Sequence, residues 1–362
     1  MRIVGFSVIP HAVPLSRPYV IAGRSIDAVE IFYLEVLTDR PGLTGLGAAS
    51  PAPAVTGESA EACVAALRSG LDFLRGADPR RFAALQTEAA VRLASTPAAL
   101  AACDMALWDL AGKILEVPAV DLLGTRQEAL PTSITVGIKS TEAMKAEAME
   151  YLEQGFRALK IKIGTDFAAD AQRLAALRLH LGEDIRIRVD ANQGYAVTEP
   201  DLAEGLLQLV RRFDIELVEQ PVPRGAGETE VLRSMGSELL RGLAADESLH
   251  TAKDALRIAQ NRTYGILNIK LMKCGGITGG RAIATVAEHS GRRLMWGCMD
   301  ESVISIAAAL HVAYASPATR FLDLDGSFDL SSDLAAGGFS LKSDVLHLLD
   351  RPGLGVTWAH QA

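Results

Sequence analysis

The stretch Ala158-Leu-Lys-Ile-Lys-Ile-Gly164 has the pattern of a buried β-strand that ends at a glycine. Side chains alternate across a strand, so Lys160 and Lys162 share one face and the isoleucines share the other. Two ammonium groups are costly to bury in an apolar strand, and each disfavours the charged form of its neighbour. The pair therefore predicts either a lysine of lowered pKa that acts as a base near neutral pH, or two solvated lysines at a strand end.

Similar strands recur on both sides of this stretch with a regular period. From about residue 131 onward, apolar runs alternate with helical patterns, and successive strand ends from Lys162 onward lie 24 to 29 residues apart. This period indicates parallel strands joined by crossover helices, and eight such strands predict a (β/α) barrel. The predicted strands end near Gly137, Lys162, Asp190, Glu219, Asp246, Lys270, Gly297 and Asp323.

Three acids, Asp190, Glu219 and Asp246, end consecutive predicted strands. Barrel active sites lie at the carboxyl ends of the strands, and neighbouring strands are roughly 4.8 Å apart. Three unpaired carboxylates at that spacing require a cation, and ligands that are all oxygen favour Mg²⁺ over Zn²⁺. Solvation of these acids, or ion pairs with the lysines, is the alternative. We expect one Mg²⁺ per active site, held by these three residues.

Lys162 and Lys270 end the second and the sixth strand, which face each other across the mouth of an eight-stranded barrel. A substrate carboxylate on the cation would have an acidified α-proton and one lysine on each side. One lysine can remove the proton to give an enolate that the cation stabilises, and the other can return a proton to the opposite face. The residues predict proton abstraction α to a carboxylate, with epimerisation as the most economical outcome.

Composition excludes several other classes of protein. The 362 residues are 49% hydrophobic and 22% charged, which is typical of a well-packed folded chain. The net charge of −8 argues against nucleic acid or an anionic membrane surface as a partner. We expect no membrane span and no signal peptide, and hence a cytoplasmic protein. The four cysteines are scattered and are interpreted as reduced thiols: Cys63, Cys103, Cys274 and Cys298.

The first 125 residues have a different pattern. Arg2 to Ile9 and Ala28 to Leu37 alternate like antiparallel strands, whereas Pro14 to Ser25 between them is too irregular for a strand. Ser50 to Gly57 forms a second irregular loop, and residues 58 to 117 are predominantly helical. Long irregular loops in a compact domain are usually functional.

Five motifs together resemble the enolase superfamily, muconate lactonizing enzyme subgroup: Lys160-Ile-Lys162, Val189-Asp-Ala-Asn192, Val218-Glu-Gln-Pro221, Ala245-Asp-Glu-Ser248 and Asn268-Ile-Lys270. The resemblance covers essentially the whole chain. It implies an α/β fold, a modified TIM barrel (β/α)7β over residues 126–325, with an N-terminal α+β capping domain over 1–125. Residues 326–362 would return to and complete the capping domain. The segments near 15–25 and 50–58 would be the specificity lids. Lys160 would lower the pKa of Lys162.

Within that subgroup the chain resembles the dipeptide epimerases, including the L-Ala-D/L-Glu type. Their mark is an Asp-x-Asp at the end of the eighth strand, here Asp323-Leu-Asp325, which in the family holds the free α-ammonium of the dipeptide. Period-two spacing puts both acids on one face, as two acceptors for one ammonium group require. The alternative for this pair is a solvated Asp-Gly turn. The resemblance thus implies 1,1-proton transfer at the α-carbon of the C-terminal residue of a dipeptide.

The side-chain preference depends on two residues that point in different directions. Arg24 resembles a position that engages a substrate side-chain carboxylate in L-Ala-D/L-Glu epimerases, whereas Asp300 at the pocket wall would favour a cationic side chain and disfavour Glu. A surface ion pair for Arg24 and a helix N-terminal role for Asp300 are the alternatives. We expect hydrophobic or cationic dipeptides to be preferred. The remaining predicted substrate contacts are Cys298, Thr135 and Glu301.

Other functions stay open at this stage. An L-Ala-D/L-Glu epimerase of murein peptide recycling, an N-acylamino acid racemase, an o-succinylbenzoate synthase and a cycloisomerase would use the same lysines and metal. Asp323 and Asp325 argue against the last three, whose substrates bring no free ammonium. A catalytically inactive barrel that only binds ligands is the alternative from another class. The physiological dipeptide, the pathway and assembly into a homo-oligomer are not determined by the sequence.

Overall fold

The N-terminal part is a three-stranded antiparallel sheet packed on helices. A computed structural model describes residues 1–21, 24–164, 166–198 and 201–361. Its first elements are the strands β1 (Ile3–Ile21), β2 (Arg24–Thr38) and β3 (Thr44–Ala49) and the helices α1 (Ala60–Ser69), α2 (Phe82–Arg92), α3 (Pro97–Leu115) and α4 (Ala119–Leu123). Two 3₁₀ turns, Asp72–Leu74 and Pro79–Arg81, join α1 to α2.

The prediction that Pro14 to Ser25 is too irregular for a strand was wrong. The two strands form one long hairpin that continues to the pair Ile21 and Arg24. Its register shifts between Pro14, which pairs with Ala28, and Tyr19, which pairs with Ile26. The residues of β1 between them therefore lie opposite a single residue of β2, Asp27. This bulge lies where Pro14 and Pro18 lack the N–H groups that a regular ladder needs, which is why the strand pattern is hidden in the sequence. The first expected lid is therefore the end of a β-ribbon.

The second expected lid, Ser50 to Gly57, is irregular as predicted, and its two ends are fixed by α3. Just before it, β3 crosses α3 so closely that a Cβ at Gly47 would lie 2.0 Å from the carbonyl oxygen of Ala102. Just after it, the buried carboxylate of Glu58 accepts hydrogen bonds from the backbone N–H groups of Ala98 (2.7 Å) and Ala99 (3.4 Å). Glu58 thus caps the N-terminus of α3, where the helix dipole favours a negative charge.

Eight parallel strands form the barrel, as the sequence predicts. After a short strand β4 (Ala129–Pro131), the barrel strands are β5 (Ile134–Val136), β6 (Ala158–Lys162), β7 (Arg186–Asp190), β8 (Ile215–Glu219), β9 (Leu243–Ala245), β10 (Ile266–Ile269), β11 (Arg293–Gly297) and β12 (Thr319–Asp323). They neighbour one another in chain order. A parallel bridge from Thr132 to Leu322 brings the first strand back to the last, so the sheet is nearly closed.

Helices follow seven of these strands, which gives the predicted (β/α)7β arrangement. They are α5 (Thr141–Glu153), α6 (Phe167–Leu181), α7 (Leu202–Phe213), α8 (Glu228–Ser234), α9 (Ser237–Gly242), α10 (Ala252–Asn261), α11 (Leu271–Cys274), α12 (Ile277–Ser290) and α13 (Val303–Tyr314). In the described ranges, no helix combines the length and the hydropathy needed to cross a membrane.

The C-terminal segment runs back over the N-terminal sheet. It contains β13 (Ala335–Gly337), β14 (Phe339–Lys342), β15 (Val345–Leu348), β16 (Val356–Trp358) and a 3₁₀ turn, Ala359–Gln361. The indole N–H of Trp358 donates to Glu35 on β2 (3.2 Å), and the hydroxyl of Tyr33 donates to Asp333 (2.8 Å). These contacts agree with a segment that completes the capping domain, while the domain boundaries at residues 125 and 325 stay predictions.

Candidate active site

The charged residues predicted from the sequence lie together at the carboxyl end of the barrel. Lys162, Asp190 and Glu219 are the last residues of three neighbouring strands and stand side by side in the sheet register. Asp246 and Lys270 directly follow β9 and β10, and all five side chains are buried. Parallel strands end at one edge of the sheet, which is why residues distant in sequence meet there.

Lys160 lies at the centre of three carboxylates. Its ammonium nitrogen is 3.0 Å from Asp190 Oδ2, 2.8 Å from Glu219 Oε2 and 2.8 Å from Asp323 Oδ2. Lys162, two residues later on the same face of β6, lies 2.7 Å from Asp190 Oδ2 and 3.0 Å from Asn192 Oδ1. The solvated alternative for the two lysines is therefore wrong, because both ammonium groups are buried among acids.

Across the barrel, Asp246 is held by two lysines. Lys270 Nζ lies 3.0 Å from Asp246 Oδ2, while Lys273 Nζ pairs with Oδ1 and donates to the backbone oxygen of the same residue at 2.5 Å. Sequence reasoning missed Lys273. The spacing from Lys270 was the available signal, since residues three apart share one face of a helical turn.

Lys160 and Lys270 have raised pKa values. Burial lowers the pKa of Lys160, but the carboxylates of Asp190, Asp323 and Glu219 outweigh burial and raise it well above its ordinary value. Burial also lowers the pKa of Lys270, and the carboxylate of Asp246 again outweighs burial and raises it. Without further positive charge, these two lysines are therefore held as ammonium ions.

Several of the acids at this end of the barrel lie close to one another, and burial together with this crowding raises their pKa values. Burial and the neighbouring Asp190 raise the pKa of Glu219 to about 8. Burial and Asp246 raise the pKa of Glu247 to about 7, and burial and Asp323 raise that of Asp325 to about 7. The pKa of Asp190 is lowered despite its burial, because Lys160 and Lys162 lie against it.

A divalent cation fits this donor set. The described residues contain no three His, Cys, Asp or Glu side chains that already stand in chelating geometry. The lysines lie among the acids instead, so the expectation of unpaired carboxylates was too simple. Yet four ammonium groups face six carboxylates, which leaves two negative charges when all are ionised, and every donor is an oxygen. The acids are Asp190, Glu219, Asp246, Glu247, Asp323 and Asp325, and the lysines are Lys160, Lys162, Lys270 and Lys273. We refer to these ten residues as the ring of lysines and acids.

The two acids of the Asp-x-Asp motif have different surroundings, although both line the same cavity. Asp323 Oδ2 pairs with Lys160, and its Oδ1 accepts a hydrogen bond from Ser133 Oγ at 2.6 Å. Asp325 accepts the backbone N–H of Thr135 at 2.7 Å. Because Lys160 and Ser133 engage both oxygens of Asp323, Asp325 has the greater remaining capacity to accept bonds from a ligand.

Asp300 lies on the cavity wall and joins it to the hairpin. The hydroxyl of Tyr19 donates to Asp300 Oδ2 at 2.7 Å. Burial raises the pKa of Asp300 to about 6, and the bond from Tyr19 opposes that effect. Cys298 and Thr135 also line the cavity. Glu301 does not line it; its buried carboxylate accepts the backbone N–H of Met299 at 2.8 Å. The side chain of Arg24 lies outside the described part of the chain.

A cavity of about 520 Å³ opens over the ring of lysines and acids. Its floor includes Lys160, Lys162 and Lys270, and its roof comes from the hairpin and from the loop after β3. The hairpin contributes Arg17, Tyr19, Ile26, Ala28 and Val29, and the loop contributes Ser50, Pro51, Ala52, Pro53, Ala54 and Val55. A volume of this size is typical of sites for small molecules. Both segments predicted as lids thus cover the same space.

Comparison with known proteins places the whole chain in one family. Residues 3–124 match the mandelate racemase / muconate lactonizing enzyme N-terminal domain, and residues 143–362 match the enolase C-terminal domain-like family. An L-Lys-D/L-Arg epimerase of Methylococcus capsulatus is 50% identical over 99% of both chains. An L-Ala-D/L-Glu epimerase of Clostridium acetobutylicum is 35% identical over 96% of this chain and 97% of that protein.

The solved structures agree with the sequence relatives. The crystal structure of dipeptide epimerase from Methylococcus capsulatus, complexed with Mg and the dipeptide L-Arg-D-Lys, has a TM-score of 0.94 and 50% identity. The match covers 99% of this chain and 100% of that one. The barrel, the capping sheet and the motifs at the strand ends all lie within the matched length. The chain therefore belongs to the enolase superfamily, in the group of mandelate racemase and muconate lactonizing enzyme.

Proposed function

We propose that this chain is a Mg²⁺-dependent dipeptide epimerase that inverts the α-carbon of the C-terminal residue of its substrate. One observation carries the proposal: Lys162 and Lys270 line one cavity from strands that are four apart in an eight-stranded barrel, with carboxylates between them. Two groups that can each carry a proton, placed on opposite sides of one space, suit a reaction that removes a proton from one face and adds it to the other. The relatives named as dipeptide epimerases support the same reaction.

Asp190, Glu219 and Asp246 would hold the Mg²⁺ ion. When bound, the ion withdraws electron density from the substrate carboxylate, which acidifies the α-proton and stabilises the charge that develops on its removal. Its positive charge would also offset the acids that hold Lys160 and Lys270 as ammonium ions, and so lower the pKa of both lysines.

The lysines would then move the proton. Nζ of Lys162 or of Lys270, as the neutral amine, takes the α-proton, and the electron pair of the C–H bond passes into the substrate carboxylate. The ammonium group of the other lysine donates a proton to the opposite face, which restores the C–H bond with inverted configuration. Lys160, buried beside Asp190 and Glu219, would stay charged and stabilise the negative charge on the substrate carboxylate.

Asp325, supported by Asp323, would bind the free α-ammonium of the dipeptide. Asp323 ends β12, the strand next to the first of the barrel, Asp325 follows two residues later, and both line the cavity together with Lys160 and Lys162. This recognition distinguishes a dipeptide from an N-acylated amino acid, which brings no ammonium group. A cytoplasmic location and assembly with further copies stay predictions from the sequence.

A cationic side chain is the preference that the cavity supports best. Outside the ring of lysines and acids, the described residues of the lining include the acids Glu30, Glu61, Asp300 and Asp329, the acid Glu147, which is paired with Lys139, and the arginine Arg17. Arg17 is itself paired with Glu150 and lies 3.9 Å from Asp329. An excess of acids on the wall attracts positive side chains and repels glutamate. The 50% identical relative named for Lys and Arg supports this choice over the hydrophobic dipeptides that the sequence also allowed.

We expect dipeptides of lysine and arginine to be turned over with a higher kcat/KM than L-Ala-L-Glu, and the affinity for them to depend on pH through Asp300. The pKa of this carboxyl is raised to about 6 by burial, so it is neutral at pH 5 and ionised at pH 7.5. Lysine and arginine side chains stay charged throughout this range. KM for a cationic dipeptide should therefore fall about 10-fold from pH 5 to pH 7.5, since a hydrogen bond to a charged group contributes roughly 1.5–3 kcal/mol.

A dipeptide with uncharged side chains, such as L-Ala-L-Ala, serves as the reference. Its KM reports every effect of pH on the enzyme except the interaction of Asp300 with a cationic side chain. The Asp300→Asn variant should bind cationic dipeptides about 10-fold more weakly at pH 7.5 and should lose the difference in pH dependence between the two substrates. Faster turnover of L-Ala-L-Glu than of any lysine or arginine dipeptide would rule out the proposed preference.

A further inference from the structure

Behind the acids of the ring lies a buried polar cluster centred on Gln220, the residue after β8. Gln220 Oε1 accepts the backbone N–H groups of Asp246 (3.1 Å) and Ser248 (3.2 Å). Two N–H donors on one side fix the orientation of the amide, so Nε2 must face the opposite way. Its two hydrogens face three acceptors within hydrogen-bond distance: the backbone oxygen of Val222 (3.0 Å), Ser248 Oγ (2.9 Å) and the hydroxyl of Tyr264 (3.0 Å).

The cluster ends on the carboxylate of Glu228, at the start of α8. The hydroxyls of Tyr264 (2.8 Å) and Ser248 donate to Glu228 Oε1, and the backbone N–H of Gly225 donates to Oε2 at 3.1 Å. Ser248 and Tyr264 therefore both lie between the amide of Gln220 and Glu228, and the hydroxyl of each donates to the carboxylate. Burial and the charge of Glu228 raise the pKa of Tyr264 well above its ordinary value, which keeps its hydroxyl a donor.

This cluster is costly for a fold that needs only stability. Glu228 is 3% exposed, and within the described ranges it forms no ion pair. Burying an acid without a cation is unfavourable, and apolar side chains could fill the same space. Gln220 also has a φ of 35°, in the left-handed region that residues other than glycine rarely adopt. Strain and buried polar groups of this kind are common beside functional sites.

The cluster connects two of the acids proposed as metal ligands, Glu219 and Asp246. Gln220 follows Glu219 directly, and its side chain holds the backbone of Asp246 and Ser248 at the end of the next strand. Its partners Ser248, Glu228 and Tyr264 fix the other end of the amide. The side chain of Gln220 therefore adds a second connection between the backbone of Glu219 and that of Asp246, beside the backbone bonds that already join β8 to β9.

We propose that Gln220, Ser248, Glu228 and Tyr264 are positioning residues that hold Asp246 and Glu219 at the spacing required to bind Mg²⁺. The inference rests on the proposed function, in which these two acids are metal ligands. Partners that orient metal-binding carboxylates commonly change metal affinity 10- to 100-fold when they are removed. None of the four residues is expected to contact the substrate.

The test compares two buried tyrosines. Tyr264→Phe removes the hydroxyl that joins Gln220 to Glu228, while Tyr314→Phe removes an equally buried hydroxyl that bonds Leu130 and Leu346. Calorimetric titration with MgCl₂ should give a Kd about 10-fold higher for Tyr264→Phe than for the wild type, and an unchanged Kd for Tyr314→Phe. Ser248→Ala, which breaks the same cluster, should match Tyr264→Phe and replaces it if that variant is unstable.

Thermal unfolding without Mg²⁺ separates positioning from stability, because loss of either hydroxyl should lower Tm. Equal Mg²⁺ affinity in the wild type, Tyr264→Phe and Ser248→Ala would overturn the inference, and so would an equal loss in the Tyr314→Phe control. Absence of Mg²⁺ binding by the wild type would instead refute the proposed function on which the inference depends.

Discussion

Replacement of Lys162 or of Lys270 by methionine should stop epimerisation, while each variant still exchanges the α-proton of one epimer. In the proposed reaction each lysine approaches one face of the α-carbon, because the two lie on strands four apart and line one cavity. With one lysine gone, the other can still remove and return the proton on its own face, with retention. Loss of a positioned base lowers the rate of a proton transfer by about 10²- to 10⁴-fold.

The decisive readout is the identity of the epimer that exchanges in D₂O. Lys162→Met should exchange one epimer of a dipeptide and Lys270→Met the other. Methionine leaves the buried Asp190 or Asp246 without one of its cations. The variants Lys162→Arg and Lys270→Arg therefore serve as a second pair, because arginine keeps the positive charge but supplies no base at neutral pH. Lys253→Met, at an exposed lysine, is the control for handling and folding. Exchange of the same epimer by both variants would contradict the two-sided assignment.

Removal of Mg²⁺ should reduce turnover by at least about 10³-fold, because a bound cation contributes several kcal/mol to the stabilisation of developing charge. Dialysis against a chelator should abolish epimerisation, and added MgCl₂ should restore it. Mg²⁺ should also raise the Tm, since a ligand that binds only the folded state stabilises it.

A matched pair of variants connects this effect to the acid ring. Glu219→Gln keeps the shape of a buried residue at 0% exposure but removes its charge, and should weaken Mg²⁺ binding strongly. Glu238→Gln makes the same change at an exposed acid paired with Arg211 and should leave Mg²⁺ binding unchanged. Full activity in the presence of the chelator would contradict the role given to the ring.

The acids and lysines at the strand ends could be predicted because their positions follow from two repeats in the sequence. The two-residue alternation of β6 puts Lys160 and Lys162 on one face, and the βα repeat brings Asp190, Glu219 and Asp246 to the same edge. The family motifs then identified the fold and the Asp-x-Asp pair. Neither repeat depends on how side chains pair in space, so both can be seen in one sequence.

The features that escaped prediction depend on such pairing. The bulge that absorbs Pro14 and Pro18 can be recognised only when β2 stands beside it. The raised pKa values of Lys160 and Lys270 follow from the acids that surround them, and how closely each acid approaches a lysine depends on side-chain packing in space. Lys273 and Glu228 lie on helices, and the partners that connect them to the strand ends, Asp246 and Ser248, are 27 and 20 residues away in the sequence.

The central claim is best tested by one exchange experiment on the native enzyme. Purified protein is incubated in D₂O with MgCl₂ and a pool that contains lysine and arginine dipeptides, hydrophobic dipeptides, L-Ala-L-Glu and an N-acylated arginine, and mass spectrometry follows each component. We predict that the cationic dipeptides gain one mass unit first, at the α-carbon of the C-terminal residue, and that none does so when the metal is chelated. Preferential labelling of the N-acylated arginine, or labelling that persists without Mg²⁺, would contradict assignment of this chain as a Mg²⁺-dependent dipeptide epimerase.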